Sequence, residues 1–133
     1  MSDMKSRAIS VLYYVSAIYD GVLGLAFLAF PLRLLDAVGV PGPNHPGYIQ
    51  FPAALLVVFA LMFLSIAGDP ERNRNLMPYG ILLKVCYCGV VFWYWYLDRV
   101  SFIWKPFAVA DLIFGILFLW AYSAITKAAS VGS

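Results

Sequence analysis

Four long apolar runs, separated by short polar segments, constrain the fold of this chain more than any other feature. A hydrocarbon core about 30 Å thick is crossed by about 20 helical residues. Charged residues make up 12% of the 133 residues, about half the fraction of a soluble domain, and the mean hydropathy is +0.84. The pattern predicts an all-α polytopic membrane protein, a four-transmembrane-helix bundle forming a single domain over 1–133, with helices at about 8–30, 48–68, 79–96 and 107–126.

The connection after the first span is the longest one. Residues 31–38 carry two charged residues, Arg33 and Asp36, among apolar ones and begin with Pro31, which is favourable in the first turn of a helix. They predict a short amphipathic helix lying at the membrane interface. Residues 39–47 are rich in proline and glycine and are expected to be irregular.

Charge and aromatic residues indicate an orientation. The run at 8–30 exceeds the 7–15-residue core of a signal peptide, so we expect a retained helix. Four spans place both termini on one side, which then collects five basic residues against three on the other. The positive-inside rule therefore favours cytoplasmic termini, and the aromatic residues at 92–96 and 102–104 are expected to form a belt at the outer interface, with a stacking platform for a ligand as the alternative.

Two carboxylates lie inside apolar runs. Asp20 and Asp111 occur in near-copies of one pattern, Ala-aliphatic-x-Asp-x-x-x-Gly-aliphatic-x-Phe-Leu, which puts Gly24 and Gly115 one helical turn after each Asp. A carboxylate in hydrocarbon is costly, so such residues usually face the bundle interior and suggest a functional site. The glycines allow another helix to approach closely.

Further polar residues are predicted to join these two in a pocket that opens outward. Asp20 is expected at its floor and Asp111 on its wall. The remaining candidates for a ligand or proton site are Lys84, which can extend toward Asp20, Tyr19, Gln50 and His45. A structural alternative is equally open, because polar residues in small bundles also hold helices together.

In that structural alternative, Asp20 pairs with Lys84, and Asp111 pairs with Arg99 or Lys105. Each pair then fixes the orientation of two helices without binding anything.

No pattern indicates a catalytic or metal site. The sequence has no Ser-His-Asp order, phosphate-binding glycine loop or His-Glu-x-x-His helix, and His45 is its one histidine. Cys86 and Cys88 would point about 200° apart on a helix and are interpreted as packing residues. We therefore expect no metal and no cofactor, and the small net charge of +2 argues against nucleic acid.

Three segments, 48–54, 69–74 and 79–84, together with an Asp in the first and fourth spans, give the chain a resemblance to small bacterial four-helix membrane proteins, broadly DoxX-like. That resemblance implies a helical bundle in the bacterial inner membrane. Some proteins of this kind are accessory subunits in quinone or thiosulfate oxidation. The resemblance transfers no catalytic residue.

The leading functional hypothesis is a non-enzymatic inner-membrane protein. Its partners would be the lipid bilayer and a small, lipid-like or quinone-like ligand, or other subunits in a homo-oligomer or larger membrane complex. Two alternatives belong to other classes. One is a membrane enzyme that uses Asp20 and Asp111 as acid and base on an apolar substrate. The other is a proton-coupled carrier of small solutes.

Overall fold

The computed structural model describes residues 2–131, with the side chains of 2–130, and within this range it is all-α. Four of its helices are long and apolar enough to cross a membrane. The predicted fold class is therefore confirmed, including the short helix after the first span. The helices are α1 (Asp3–Ala29), α2 (Pro31–Ala37), α3 (Gly47–Gly68), α4 (Met77–Tyr96, preceded by a 3-10 turn at Arg74–Leu76) and α5 (Trp104–Val131).

Two helices are longer than predicted. α1 begins at Asp3 rather than near residue 8, because the Ser2 hydroxyl accepts a hydrogen bond from the Lys5 backbone N–H at 3.3 Å and caps the helix. α5 begins at Trp104 rather than near residue 107. Pro106 is tolerated in its first turn, where N–H groups have no partner within the helix.

The short helix α2 is amphipathic, as its sequence predicts. Pro31 and Leu35, one turn apart, are buried, whereas Arg33 and Asp36 are exposed. Its location at the membrane interface stays a prediction.

The four long helices associate as two antiparallel pairs, α1 with α3 and α4 with α5, and the pairs then pack on each other. We call the end that carries the loops 38–46 and 97–103 the two-loop end, and the end that carries the turn 69–73 the one-loop end. Gly24 lies at a close approach of α1 and α3. A Cβ atom there would be 2.7 Å from the carbonyl oxygen of Ala53.

A tightly packed apolar core fills the half of the bundle toward the one-loop end. Its centre is aromatic: the Tyr13 ring stacks on Phe118 at 4.6 Å between ring centroids, and Phe63 lies 5.9 Å and 5.3 Å from the two. Around them are Ile9, Ala17, Ile66, Ala67, Met77, Ala121 and Ile125. The half toward the two-loop end contains a cavity.

Candidate functional site

A buried ion cluster separates the two halves of the bundle. Lys84 Nζ donates to both carboxylate oxygens of Asp20, at 2.9 Å and 3.2 Å, and to one oxygen of Asp111, at 3.1 Å. Only 1% of the Lys84 side chain is exposed, against 2% for Asp20 and 11% for Asp111. The three N–H groups of the ammonium thus face three carboxylate oxygens, so the lysine is fully paired.

Aromatic rings surround the ammonium of Lys84. Its Nζ lies 5.4 Å from the ring centroid of Phe114 and 5.8 Å from those of Tyr19 and Phe63. Such rings attract a cation and exclude water. One lysine against two ionised carboxylates leaves the cluster with a charge of −1, and one added proton makes it neutral.

The two Asp residues of the repeated pattern meet at this cluster. α5 runs antiparallel to α1, and Asp20 and Asp111 both bind the same lysine of α4. The two glycines differ in how closely the neighbouring atoms approach them. Gly24 lies against α3, whereas a Cβ on Gly115 would lie in ordinary contact, 3.4 Å from Lys84 Cβ.

A cavity of about 310 Å³ lies on the two-loop side of the cluster, between the two helix pairs. Asp20 and Asp111 form its polar end, and most of its remaining wall is apolar. The lining residues are Tyr19, Asp20, Leu23 and Phe27 of α1, Ile49, Pro52, Ala53, Leu55, Leu56 and Phe59 of α3, Leu83 and Tyr87 of α4, and Trp104, Phe107 and Asp111 of α5.

The cavity reaches the surface of the bundle beside α3. Pro52 and Leu55, both lining residues, are exposed on the outside of that helix. They lie about 8–12 Å along α3 from its first residue, since a helix rises 1.5 Å per residue. The opening is therefore within the apolar span, where a bilayer places lipid chains.

Three hydroxyl groups of α1 are buried without a hydrogen-bond partner in the described part of the chain. They belong to Tyr13, Ser16 and Tyr19. Buried polar groups usually pair with protein groups or with water. Tyr19 is the one of the three that lines the cavity.

The structure brings together four of the six candidate residues: Asp20, Lys84, Asp111 and Tyr19. The other two lie elsewhere, near the two-loop end. Gln50 Nε2 donates to the Leu28 carbonyl at 3.2 Å, which ties the start of α3 to the end of α1. His45 Nδ1 accepts a hydrogen bond from the Gly47 N–H at 2.9 Å and borders a separate shallow depression.

The pairing of Asp111 with Arg99 or Lys105, considered in the structural alternative, is wrong. Asp111 binds Lys84, and Lys105 Nζ instead lies 4.9 Å from the ring centroid of Trp95. The reason is geometric. Asp111 lies nearly two turns inside α5, facing α4, while Lys105 lies in the first turn.

Two lining residues that carry a polar side-chain group, Tyr87 and Trp104, were not among the candidates. Tyr87 lies three residues after Lys84 on α4, so the two share a helix face, and this spacing is a usable signal. Its hydroxyl donates to the Trp104 carbonyl at 3.2 Å. Trp104, one of the aromatic residues expected in the interfacial belt, also lines the cavity, with its ring 6.1 Å from Phe27.

The cysteines do not bond to each other. Cys86 is exposed, and Cys88 is buried with its Sγ donating to the Ala108 carbonyl at 3.4 Å. Among the described residues, no three His, Cys, Asp or Glu side chains come together as a metal site.

We expect simultaneous replacement of Cys86 by Ala and of Cys88 by Ser to leave folding and assembly intact. The serine hydroxyl can still donate to Ala108, and only a small packing loss follows. Thermal melting in detergent, with size-exclusion chromatography, checks this. Loss of a stoichiometric metal from the double variant, measured by elemental analysis, would show that these cysteines are ligands.

No protein family model, no curated protein and no solved structure matches this chain. The comparisons therefore support neither the DoxX-like resemblance nor an oligomer. What stands is a small polytopic membrane protein with four transmembrane-length helices, in contact with a lipid bilayer.

Proposed function

We propose that this protein binds a small membrane-soluble molecule in the cavity beside the ion cluster, with the polar head of that molecule against Asp111 and Tyr19. One observation carries the proposal: an apolar cavity of about 310 Å³ ends on a buried cluster of ionisable groups. Sites for small molecules are concave, mostly apolar and at least about 300 Å³, with a few polar groups that fix orientation. A lipid-like or quinone-like molecule has this combination of an apolar body and a small polar head.

The side opening supports entry from the bilayer. An apolar molecule is concentrated among lipid chains, and the exposed lining residues Pro52 and Leu55 lie within the apolar span. No step through water is needed on this route.

The purely structural interpretation accounts for less of the site. A helix-orienting ion pair explains why Lys84 contacts Asp20 with both oxygens. It does not explain why a cavity adjoins that pair, or why Asp111 keeps a partly exposed carboxylate with one oxygen unbound in the described structure.

Blocking the cavity tests the proposal. Leu83→Trp adds an indole to the cavity wall, and Leu82→Trp, the control, adds the same group one residue earlier, where the side chain is 55% exposed toward lipid. Both variants are purified in mild detergent and analysed by native mass spectrometry. We expect wild-type protein and Leu82→Trp to retain the same small molecule, and Leu83→Trp to lose most of it while melting at a similar temperature.

Two results would contradict the proposal. One is wild-type protein, purified from its native membrane or from a lipid-rich host, that carries no bound molecule beyond detergent. The other is equal retention in both tryptophan variants, which would place the bound molecule on the outer surface.

The orientation that we propose is that both termini are cytoplasmic, in the inner membrane of a bacterium. The structure groups basic residues in the pattern that motivates this. Lys5, Arg7, Arg72, Arg74 and Lys127 lie toward the one-loop end, and Arg33, Arg99 and Lys105 lie toward the two-loop end. The cavity then lies in the outer half of the bilayer.

A reporter fused after Ser133 should be active in the cytoplasm, and one inserted at Pro43 should be active outside. Paired phosphatase and fluorescent-protein fusions measure this. The reverse pair of signals would invert the protein and move the cavity to the inner half.

A further inference from the structure

Two polar groups of residues that line the cavity lack a partner within the described structure, and of the two the Tyr19 hydroxyl is closed off from the cavity itself. The Tyr19 hydroxyl is buried with no hydrogen bond. Asp111 uses one oxygen for Lys84, and its other oxygen has none. Both residues line the cavity, and the Tyr19 ring centroid lies 5.8 Å from the nitrogen that holds Asp111.

The charge of the cluster decides what the free Asp111 oxygen can do. With both carboxylates ionised, the cluster carries −1 in an apolar setting, which is costly. Asp20 has both oxygens bound to Lys84, whereas Asp111 has one free oxygen and the more exposed side chain. Asp111 is therefore the group placed to take a neutralising proton, and its free oxygen then becomes a donor.

We propose that the cavity binds a molecule with a carbonyl head together with one proton, which Asp111 holds. The inference rests on the proposed ligand-binding function. A carbonyl oxygen has two lone pairs: it accepts one hydrogen bond from the protonated Asp111, and a turn of the Tyr19 side chain on binding lets the Tyr19 hydroxyl donate the second. No covalent step occurs: one proton enters from bulk water with each ligand, and it leaves with the ligand.

The other groups that face Asp111 are not placed to donate a proton to the ligand in its place. From α4 these are Lys84, Tyr87 and Cys88, and from α1 they are Asp20 and Tyr19. Tyr87 and Cys88 already donate to backbone carbonyls. α3 faces the cluster with the apolar ring of Phe63, and the single histidine, His45, lies in the loop before α3.

The test compares a ketone with its alcohol. The probes are 2-acetonaphthone and 1-(2-naphthyl)ethanol, which share one carbon skeleton, and the protein is in lipid nanodiscs. Calorimetric titration from about pH 6 to 9, in buffers of different ionisation enthalpy, gives both affinity and protons taken up per ligand. Empty nanodiscs and Leu83→Trp nanodiscs correct for partition into lipid.

For wild-type protein, ketone affinity should fall as pH rises, by as much as about tenfold per pH unit, while proton uptake approaches one per ketone. The alcohol can donate to ionised Asp111, so its affinity should stay level. Asp111→Asn carries a permanent amide donor. It should keep ketone binding, lose proton uptake and bind more tightly than wild type at high pH.

Tyr19→Phe should weaken ketone binding by about fivefold to tenfold at low pH, because one donor is lost. Tyr14→Phe is the matched control, since Tyr14 is exposed on the other side of α1. If Asp111→Asn does not fold, three measurements still test the proposal. They are the wild-type pH profile, the number of protons taken up by wild type, and the comparison of Tyr19→Phe with Tyr14→Phe.

The outcomes separate the two proposals. Ketone binding that is level with pH and takes up no proton would overturn this inference and leave ligand binding in place. Preference for the alcohol at every pH would do the same. Heats no larger than those of empty nanodiscs for both compounds would overturn this inference, and native mass spectrometry would then decide separately whether another molecule is bound.

Discussion

Replacement of Lys84 by methionine should lower the free energy of unfolding by about 3–5 kcal/mol, the largest effect expected from any single change in this chain. Methionine nearly matches the lysine in length, so packing is largely kept. What is lost is the cation that holds Asp20 and Asp111, and two buried carboxylates then face each other without compensation. Denaturant titration of the purified protein in mixed micelles measures the effect.

The matched control is Lys105→Met, which removes a lysine that lies over the ring of Trp95 near the two-loop end. It should cost at most about 1 kcal/mol. The triple variant Asp20→Asn, Lys84→Met, Asp111→Asn removes all the charges and should recover much of the loss. If Lys84→Met were no more destabilising than Lys105→Met, the buried cluster would not exist in the membrane.

The second large effect is expected at Gly24. An alanine Cβ there would lie 2.7 Å from the Ala53 carbonyl oxygen and 3.0 Å from Leu56 Cβ. Backbone cannot move aside as a flexible side chain can, so α1 and α3 must separate. Gly24→Ala should therefore lower the free energy of unfolding by about 1–3 kcal/mol. It should also weaken ligand retention, because Ala53 and Leu56 wall the cavity.

Gly89→Ala is the control for this prediction. Nothing lies within 4 Å of the added Cβ, so the change should be neutral or stabilise the helix by up to about 1 kcal/mol. Melting temperatures in one detergent compare the two variants. A Gly24→Ala protein as stable as Gly89→Ala would show that α1 and α3 are less close than described.

The fold was largely predictable because long apolar runs have few solutions in a bilayer. Only helices satisfy the backbone there, and their lengths follow from the bilayer thickness. The helix ends were less predictable, because they depend on local caps. α1 starts at Asp3 through a hydrogen bond of the Ser2 side chain, a feature outside the apolar pattern.

Part of the site was predictable from the free-energy cost of placing a carboxylate among lipid chains. An aspartate in an apolar run must face inward and find a partner, and this argument singled out Asp20, Asp111 and Lys84. The pairing of Asp20 with Lys84, named in the structural alternative, is confirmed, whereas the partner of Asp111 was not predictable, because it depends on helix rotation and on which helices are neighbours. Asp111 therefore binds Lys84 rather than a residue near it in sequence. The cavity itself has no sequence signal, since its wall is made of the same apolar residues as the core.

The convergence of Asp20 and Asp111 on Lys84 inside the bilayer is the claim on which the other proposals depend. Its most direct test is a carbon–nitrogen distance measurement by solid-state NMR in lipid bilayers, between Lys84 Nζ and the aspartate carboxyl carbons. We expect both carbons within about 4 Å of Nζ, as hydrogen-bonded geometry requires, and we expect Asp20→Asn and Asp111→Asn each to remove one carboxyl contact. A Lys84 Nζ signal with no carboxyl carbon in that range would contradict the account. A carboxyl contact that remains unchanged in both Asp20→Asn and Asp111→Asn would contradict it as well.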